Sequence, residues 1–382
     1  MSFLLALPKI SLHGAGAIGD MVKIVKGKNW GKALIVTDGQ LVRLGLLDGL
    51  FSALEGSGIN YHLFDHVFPN PTEALVQRGF SAFKENDCDY IIAFGGGSPI
   101  DTAKAIKILS ANPGPSTDYA GIGKVTHPGV HLVAINTTAG TAAEMTSNAV
   151  IIDSERNIKE VIIDSNIIPD IAVDDASVML NIPASVTAAT GMDALTHAVE
   201  AYVSLGAHPL TDANALEAIR LISQWLPEAV ANGQNLQARE MMAYGQYLAG
   251  MAFNSAGLGL VHALAHQPGA THDLPHGVCN AILLPIVENF NRPVAQPRFA
   301  RIAAAMGVDT LRMTDEQASI AAINAIRALS ARVAIPSGFS QLGISEKDIE
   351  GWIDNALNDP CAGCNPCSAT REEVRQLYLA AL

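Results

Sequence analysis

The stretch YIIAFGGGSPIDTAK, residues 90–104, passes from an apolar run through a glycine-rich turn into the start of a helix. The aromatic and β-branched run predicts a strand that is buried on both faces, as the strands of parallel sheets are. Consecutive glycines at residues 95–97 let backbone N–H groups approach a ligand, and the helix start adds a favourable dipole. This turn is therefore our candidate loop for a phosphate group, with a ligand-free glycine turn as the alternative.

Runs of strand length lie on both sides of this stretch. They are ALIVTD at residues 33–38, YHLFD at 61–65 and HLVAIN at 131–136, and helix-periodic segments occupy residues 44–58 and 71–86. Strands and helices in alternation predict a parallel, doubly wound α/β sheet.

The pattern changes in the second half of the chain. AVIID at residues 149–153 and EVIID at 160–164 enclose the charged turn SERNIK and predict a β-hairpin. After about Pro183 the chain is Ala-rich and helix-periodic, with hardly any β-branched run. We therefore predict two domains, an α/β dinucleotide-binding domain at residues 1–183 and an all-helical domain at residues 184–382.

A second glycine motif, GAGAIG at residues 14–19, competes for the same ligand. It fits the G-x-G-x-x-G dinucleotide pattern, and Asp38 ends a strand nineteen residues after it. Residues 9–13 before it alternate polar and apolar side chains, which is typical of an edge strand, whereas the first strand of a Rossmann unit is central and apolar. We therefore predict a simple turn at residues 14–19. Asp38 either accepts from a ribose hydroxyl, which predicts NAD over NADP, or caps a turn.

Potential metal ligands are concentrated in two apolar segments of the second half. Asp193 and His197 are four residues apart, and His262 and His266 repeat this spacing, so each pair shares one helix face. His276 follows ten residues after His266. Imidazole nitrogens together with one carboxylate suit Fe²⁺ or Zn²⁺ at an open, Lewis-acid site. The alternative is a set of core histidines that are satisfied by the backbone.

Charge and composition exclude several other classes. The chain has 24 Lys and Arg against 37 Asp and Glu, a net charge of −13, so it lacks a surface pattern for nucleic acid or anionic membrane. Residues 241–272 carry no Asp, Glu, Lys or Arg, but they hold polar groups that a lipid-facing helix rejects. Five Cys, an odd number, and a start without a secretory pattern predict a reducing, cytoplasmic location. Cys361, Cys364 and Cys367 have the spacing of iron–sulfur ligands, but a matching fourth ligand is missing, and we interpret them as reduced thiols.

Together these pieces resemble the iron-containing (group III) alcohol dehydrogenases, the family of lactaldehyde reductase and 1,3-propanediol dehydrogenase. The matching stretches, which cover nearly the whole chain in order, are FPNPT (68–72), GGGSPIDTAK (95–104), NTTAGTAAEMT (136–146), TAATGMDALTHAVEAYV (187–203), LAGMAFNSAGLGLVHALAHQ (248–267) and LPHGVCNAILLP (274–285). The resemblance implies a Rossmann-like NAD-binding domain and a helical metal-binding domain, the architecture of dehydroquinate synthase. It also implies a cleft that holds NAD and metal, and a homodimer or an assembly of dimers.

The resemblance assigns roles to particular residues. The implied cofactor-binding residues are Asp38, Asn70, Gly95, Gly96, Gly97, Ser98, Asp101, Thr137, Thr138 and Thr141. The implied metal ligands are Asp193, His197, His262 and His276, and His266 lies beside the metal as the candidate proton relay. Asn148, Phe253 and His272 are expected to line the substrate pocket.

Residues 268–273 depart from the usual family pattern, which has an apolar, aromatic loop at this point. Here Pro268, Thr271, His272 and Asp273 make the loop more polar, which either admits a longer or hydroxylated substrate or only packs differently. We expect an oxidoreductase that uses NAD(H) and Fe²⁺, with Zn²⁺ as the alternative, to interconvert small primary alcohols or diols and aldehydes. Other expectations left open are a reductase of a functionalised aldehyde, such as lactaldehyde or sulfoacetaldehyde, and a metal-dependent lyase on the same fold.

Overall fold

The computed structural model describes residues 3–154, 156 and 158–382. These residues form two compact units, which we describe separately. One unit is α/β and consists of Leu5–Thr138 and Ala142–Leu180; the other is helical, and most of it is Asn181–Leu382. The domain limits predicted from the sequence, 1–183 and 184–382, remain predictions, and the first two residues of the N-terminal domain lie outside the described residues.

The α/β unit is built on a parallel sheet, as the sequence predicted. Its strands are β1 (Ile10–His13), β2 (Ala33–Asp38), β3 (Tyr61–Val67), β4 (Tyr90–Gly95), β5 (Gly121–Ile122), β6 (His131–Asn136), β7 (Asn148–Asp153), β8 (Ile158–Ile163) and β9 (Ile171–Asp174). Six of them form one sheet in the order β1-β9-β6-β4-β2-β3, and all of its pairings are parallel. The central strand β4 is buried along its whole length, because helices cover both faces of the sheet.

The helices of this unit pack on the two faces of the sheet. They are α1 (Ala17–Lys28), α2 (Gly39–Arg43), α3 (Asp48–Gly56), α4 (Glu73–Glu85) and α5 (Gly97–Leu109). Helices α1 and α3 contribute to the core on one face, and α4 and α5 contribute to the core on the other. This alternation confirms the doubly wound fold class.

A smaller sheet contains the predicted hairpin. Strands β7 and β8 pair antiparallel, with Asn148 opposite Ile163, and β5 adds to β8 in parallel. Two residues of the predicted turn, Glu155 and Asn157, lie outside the described residues. The short strands β5 and β9 were not predicted from the sequence.

The second unit is helical in its described residues, as predicted. Its helices are α6 (Ala184–Val203), α7 (Pro209–Ala231), α8 (Leu236–Ala256), α9 (Leu260–His272), α10 (His276–Asn291), α11 (Gln296–Ala305), α12 (Asp315–Arg332), α13 (Glu346–Ile349), α14 (Ile353–Leu357) and α15 (Arg371–Ala380). Helices α6, α7 and α8 form one packed group, and α10 packs against α6 and α9.

The expectation of a loop at residues 268–273 is wrong for most of that segment. Helix α9 continues through Pro268 to His272, and Asp273 ends it with a left-handed φ of 52°. A proline inside a helix frees the carbonyl four residues earlier, here that of Leu264. Tyr378 Oη donates to this carbonyl at 2.8 Å, so the hydrogen bond that Pro268 cannot make is replaced from α15.

Membrane-spanning potential is limited in the part of the chain that the structure describes. No single helix there is both long enough and apolar enough to cross a bilayer. Helices α8 and α9 meet the length and composition test only together, and they are bent by 105° at the break between them.

Candidate active site

Helix α6 brings three polar side chains to one face of an otherwise apolar segment. Asp193, His197 and Glu200 follow one another at helical spacing, and each is at most 5% exposed. Burial lowers the pKa of His197, so its imidazole is held neutral, the form that binds metals. A buried face with these groups needs compensating partners.

Helices α9 and α10 supply those partners. Asp193, His262 and His276 each offer one ligand atom, and these atoms all lie within 4.8 Å of one another. The His197 ring stacks on the His262 ring, with 4.7 Å between centroids. The structure therefore brings the four predicted metal ligands into one group, three of them within mutual ligand distance and the fourth beside them. We call Asp193, His197, His262 and His276 the metal group.

The donor count at this group fits a cation. Asn280 Nδ2 lies 2.7 Å from Asp193 Oδ1, 3.1 Å from His262 Nε2 and 3.0 Å from His276 Nε2. An amide group has only two hydrogens, so it cannot donate to all three acceptors. A divalent ion would satisfy these converging lone pairs, and the nitrogen and oxygen donors suit Fe²⁺ or Zn²⁺.

Glu200 orients one of the ligands. Its Oε2 lies 2.5 Å from His262 Nδ1, and its Oε1 accepts from the backbone N–H of Val261 at 2.6 Å. The second nitrogen of His262, Nε2, therefore points toward Asp193 and His276. Burial lowers the pKa of His262 well below its ordinary value, and the neighbouring His197 and His276 act in the same direction. A carboxylate behind a ligating histidine is a common way to fix the ring.

His266 sits one turn further along α9 and has its own carboxylate. Asp359 Oδ2 accepts from His266 Nδ1 at 2.8 Å. The His266 ring stacks on that of His276 with 5.4 Å between centroids, which places it next to the metal group. Burial acts to raise the pKa of Asp359, but the hydrogen bond and charge of His266 outweigh burial and lower it. Asp359 is thus an ionised acceptor that fixes Nδ1 and presents Nε2.

The predicted substrate-pocket residues occupy different places. The Phe253 ring on α8 stacks on His197, with 4.4 Å between centroids, so it does lie at the metal group. His272, at the end of α9, packs edge-on against Trp352, and its Nε2 lies 3.6 Å from Asp348 Oδ1. Asn148 begins β7 in the α/β unit, where its carbonyl accepts from Lys104 Nζ at 2.7 Å.

The glycine loop has little room for side chains at two of its positions. Gly95 has a φ of 152°, and a Cβ there would lie 2.4 Å from Pro99; a Cβ on Gly96 would lie 3.1 Å from Thr138. Gly97 and Ser98 form the first positions of α5, so their N–H groups lie at the positive end of the helix dipole. The loop leads directly from β4 into this helix start, as the sequence predicted.

At the competing motif, residues 14–19, a carboxylate of the protein itself binds the start of helix α1. Asp175 Oδ2 accepts from the backbone N–H groups of Gly16 and Ile18, at 3.0 and 3.2 Å. The preceding strand β1 lies at the edge of the sheet. The start of α1 is therefore neutralised by the protein itself. Residues 14–16 form the predicted turn, whereas residues 17–19 already belong to α1, so the prediction of a turn is wrong for those three residues.

The other implied cofactor residues have structural partners of their own. Asp38 caps α2, its Oδ1 accepting from Gln40 and Leu41 N–H groups at 2.9 Å each. Asp101 Oδ2 accepts from the Val150 N–H at 3.2 Å, and its pKa rises to about 6 because burial outweighs the attraction of Lys104. The remaining positions are half-buried Asn70, with a φ of 57° and a bond from Lys159; buried Thr137 at the end of β6; and half-buried Thr138 and Thr141.

Three site residues were missed by the sequence analysis. Glu200 could have been found, because it is a lone acid seven residues after Asp193 in an apolar helix. Asn280 is four residues after His276, a weaker signal. Asp359 comes from a distant segment, and nothing in its local sequence points to His266.

Comparisons with known proteins identify the family of the chain. The sequence profile described as "Iron-containing alcohol dehydrogenase" matches residues 8–176, and "Fe-containing alcohol dehydrogenase family, C-terminal" matches residues 187–382. The chain belongs to the iron-containing alcohol dehydrogenase family, which confirms the resemblance and makes it an oxidoreductase of that class.

Individual relatives span the whole chain. NAD-dependent methanol dehydrogenase of Bacillus methanolicus is 44% identical over 98% of this chain and 99% of its own length. Lactaldehyde reductase of Escherichia coli (strain K12) is 43% identical over 97% of each chain. The crystal structure of a 1,3-propanediol oxidoreductase matches with a TM-score of 0.98 and 43% identity, covering 100% of both chains.

Proposed function

We propose that this protein interconverts a short primary alcohol or diol and its aldehyde, with NAD(H) as the hydride carrier. The observation that carries the proposal is the buried group of Asp193, His262 and His276 with the His266–Asp359 pair beside it. Ligands for a Lewis acid and a histidine with one fixed nitrogen are the two protein devices that this reaction needs.

Asp193, His197, His262 and His276 are the residues that would hold the metal. When bound, a divalent cation supplies positive charge that polarises the alcohol or carbonyl oxygen. The ligands are neutral imidazoles with a single carboxylate, so the cation would keep most of its charge for the substrate. Fe²⁺ is our first choice because of the family, and Zn²⁺ suits the same donors.

His266 is the residue that would move the proton. Asp359 holds the proton on Nδ1, so the lone pair of Nε2 is available to accept from a substrate hydroxyl, and Nε2–H can return the proton during aldehyde reduction. His266 is half-buried, so its ring remains accessible. It acts beside the metal group and need not ligate the ion.

The α/β unit would bind the cofactor, whose nicotinamide supplies the hydride chemistry. Gly95, Gly96, Gly97 and Ser98 would bind the pyrophosphate through backbone N–H groups at the start of α5. Asp38 uses Oδ1 to cap α2, and its second carboxylate oxygen would accept from a ribose hydroxyl. The same negative charge would repel a 2′-phosphate, so we propose NAD rather than NADP. Asn70, Asp101, Thr137, Thr138 and Thr141 complete the proposed set.

The proposed substrate class rests on one apolar neighbour of the metal group and on the names of similar proteins. Phe253 offers an apolar wall next to His197. His272 and Asn148 remain predictions from the sequence: as polar side chains they would accept a hydroxylated or otherwise functionalised substrate. The similar proteins are named for methanol, lactaldehyde and 1,3-propanediol, which are all short.

The setting of the enzyme is also a proposal. The acidic chain, with a net charge of −13, favours neither nucleic acid nor anionic membrane as a partner. We propose a cytoplasmic homo-oligomer, a dimer or an assembly of dimers. Exposed apolar side chains near the N-terminus, Phe3, Leu4, Leu5 and Leu7, support self-association. Light scattering of the purified protein would test it, and a monomer at micromolar concentration would contradict it.

The test of the reaction is cofactor-coupled turnover. The protein would be chelated, reloaded anaerobically with Fe²⁺ or Zn²⁺, and assayed by NADH absorbance against a panel of short alcohols and aldehydes. We expect NAD turnover that chelation abolishes and metal restores, with NADP much poorer. Metal-loaded, folded protein that is silent across the panel would contradict the proposed substrate class.

A further inference from the structure

A second set of potential metal ligands lies next to the first. His266, Asp359 and Cys361 each offer one ligand atom, and the three atoms lie within 4.8 Å of one another. The set joins helix α9 to a 3₁₀ turn at Pro360–Cys364. It shares no residue with the group of Asp193, His262 and His276, although the His266 and His276 rings are stacked.

The local backbone holds this set in place. Asp359 caps the 3₁₀ turn, and its Oδ1 accepts from the Cys361 backbone N–H at 2.9 Å, while its Oδ2 is bonded to His266 Nδ1. The carboxylate therefore sits between the imidazole and the thiol. Burial raises the pKa of the Cys361 thiol well above its ordinary value, and the Asp359 charge adds to this effect. A cation bound between the three groups would favour the thiolate and so oppose both contributions.

We propose that His266, Asp359 and Cys361 form a second divalent-metal site, which takes Zn²⁺ and leaves one position for water. The choice of Zn²⁺ rests on the donors: one nitrogen, one oxygen and one sulfur form a soft, mixed set that zinc prefers in tetrahedral coordination. The first group contains no sulfur, so the two sites differ in chemistry. On binding, the thiol S–H bond breaks, a sulfur–metal bond forms, and the proton passes to the buffer.

Occupation of this second site would inhibit the enzyme. A cation that takes a His266 nitrogen and the Asp359 carboxylate removes the pair that we assign to proton transfer. This consequence rests on the proposed function, whereas the existence of the site does not. Excess Zn²⁺ would then inhibit turnover in a protein whose first site is already filled.

Cobalt distinguishes the two sites because a thiolate bound to Co²⁺ produces a near-ultraviolet charge-transfer band. Holoprotein with Zn²⁺ at the first site would be titrated anaerobically with Co²⁺. We expect this band to rise to one equivalent per chain, since Co²⁺ at the first site would have no sulfur ligand. A wild-type titration without the band would overturn the proposal.

Three matched cysteine variants locate the sulfur. Cys361→Ser should lose the band, whereas Cys364→Ser and Cys367→Ser, in the same C-x₂-C-x₂-C segment, should keep it. A band that persists in Cys361→Ser, or that disappears only in one of the other two variants, would overturn the assignment. Circular dichroism and the metal content of the first site would verify that each variant is folded. Asp359→Asn gives a second test, with cobalt affinity expected to fall on the order of tenfold.

Turnover separates this proposal from the proposed function. Zn²⁺ should inhibit NADH formation by the wild type, and the inhibitory concentration should rise at least about tenfold in Cys361→Ser. A cobalt band in a protein without dehydrogenase activity would support the site and contradict the function. Dehydrogenase activity without a cobalt band would do the reverse.

Discussion

Helix α9 carries His262 and His266 on successive turns, and each histidine is paired with a carboxylate from another segment. The two pairs differ in how deeply their side chains are buried. His262 and Glu200 have side chains that are 2% and 1% exposed, whereas those of His266 and Asp359 are 21% and 11% exposed. Both histidines present Nδ1 to a carboxylate and are four residues apart. Their sequence spacing alone does not distinguish a ligand from a proton relay.

The difference in burial is our basis for proposing a different role for each pair. The second nitrogen of His262, Nε2, lies close to Asn280 and to the potential ligands Asp193 and His276. Its lone pair therefore points into the buried group. His266 lies beside that group with a side chain that is partly exposed to solvent. We therefore propose that the deeper pair holds the metal and that the shallower pair moves the proton. Four predictions test this division, and they run from the largest expected effect to the smallest.

The largest effect is a change in stability, and it concerns Glu288, an acid close to the deeper pair of His262 and Glu200. Glu288 is buried near Glu200, and burial raises its pKa from the ordinary 4.5 to about 7. Between these values the unfolded chain holds fewer protons than the folded chain, so stability falls as pH rises and levels off above about pH 7. Glu288→Gln should therefore be more stable than wild type at pH 8 by about 3 kcal/mol, taking about 1.4 kcal/mol per pKa unit.

Urea unfolding of metal-free protein would measure this difference. The advantage of Glu288→Gln should shrink as the pH falls from 7 toward 4.5, where the glutamic acid is protonated in the folded chain and about half protonated in the unfolded chain. A difference in the free energy of unfolding that stays constant from pH 5 to pH 8 would contradict the neutral, buried acid.

The next effect is on metal affinity. Glu200→Ala should weaken binding of the first metal by about 10- to 100-fold, because His262 loses the group that orients its ring. Glu200→Gln, which keeps a hydrogen-bonding group, is the matched control and should lose less. Competition with a chelator would give both affinities, and equal affinities in Glu200→Ala and wild type would refute the orienting role.

A substitution in the shallower pair, His266 and Asp359, should change turnover rather than metal affinity. Asp359→Asn should lower kcat on the order of tenfold, because His266 is no longer held with its proton on Nδ1. The affinity of the first site and the KM for NAD should stay unchanged. Steady-state kinetics with metal analysis would check this, and loss of the first metal in Asp359→Asn would contradict the separation of the two pairs.

The smallest effect concerns the helix itself. Tyr378→Phe removes the hydrogen bond that replaces the one missing at Pro268, so it should cost about 1 kcal/mol of stability. Because Leu264 lies between His262 and His266, the loss should affect the shallower, C-terminal part of α9 first. Hydrogen exchange at residues 269–272 should increase, while exchange around His262 should not; a uniform increase would contradict local support.

The sequence predicted the elements whose pattern is local. The apolar runs of β2, β4 and β6, the periodic helices α6 and α8, and the edge position of β1 all have residue patterns that determine them. It failed where distant residues decide. The helical state of residues 268–272 depends on Tyr378 from α15, and β9 was missed because four residues carry too little periodicity.

The candidate site likewise contains residues that the local sequence pattern predicted and residues that it did not. Spacing on one helix face predicted Asp193, His197, His262 and His276 as a group, because i, i+4 pairs face one direction. The partners Glu200, Asn280 and Asp359 depend on how separate segments pack, which one sequence does not encode locally. The contact between the Asp175 carboxylate and the start of α1 is likewise long-range, since Asp175 lies 159 residues from Gly16.

The most direct test of the two roles is metal content and turnover of His262→Ala and His266→Ala, measured side by side after anaerobic loading with one equivalent of Fe²⁺ per chain, without the Zn²⁺ that the proposed second site would take. We predict that His262→Ala fails to retain one metal per chain and loses activity. We predict that His266→Ala retains one metal per chain, while kcat falls about 10²- to 10⁴-fold. Loss of stoichiometric metal from His266→Ala, or full retention by His262→Ala, would contradict the assignment of ligand and relay.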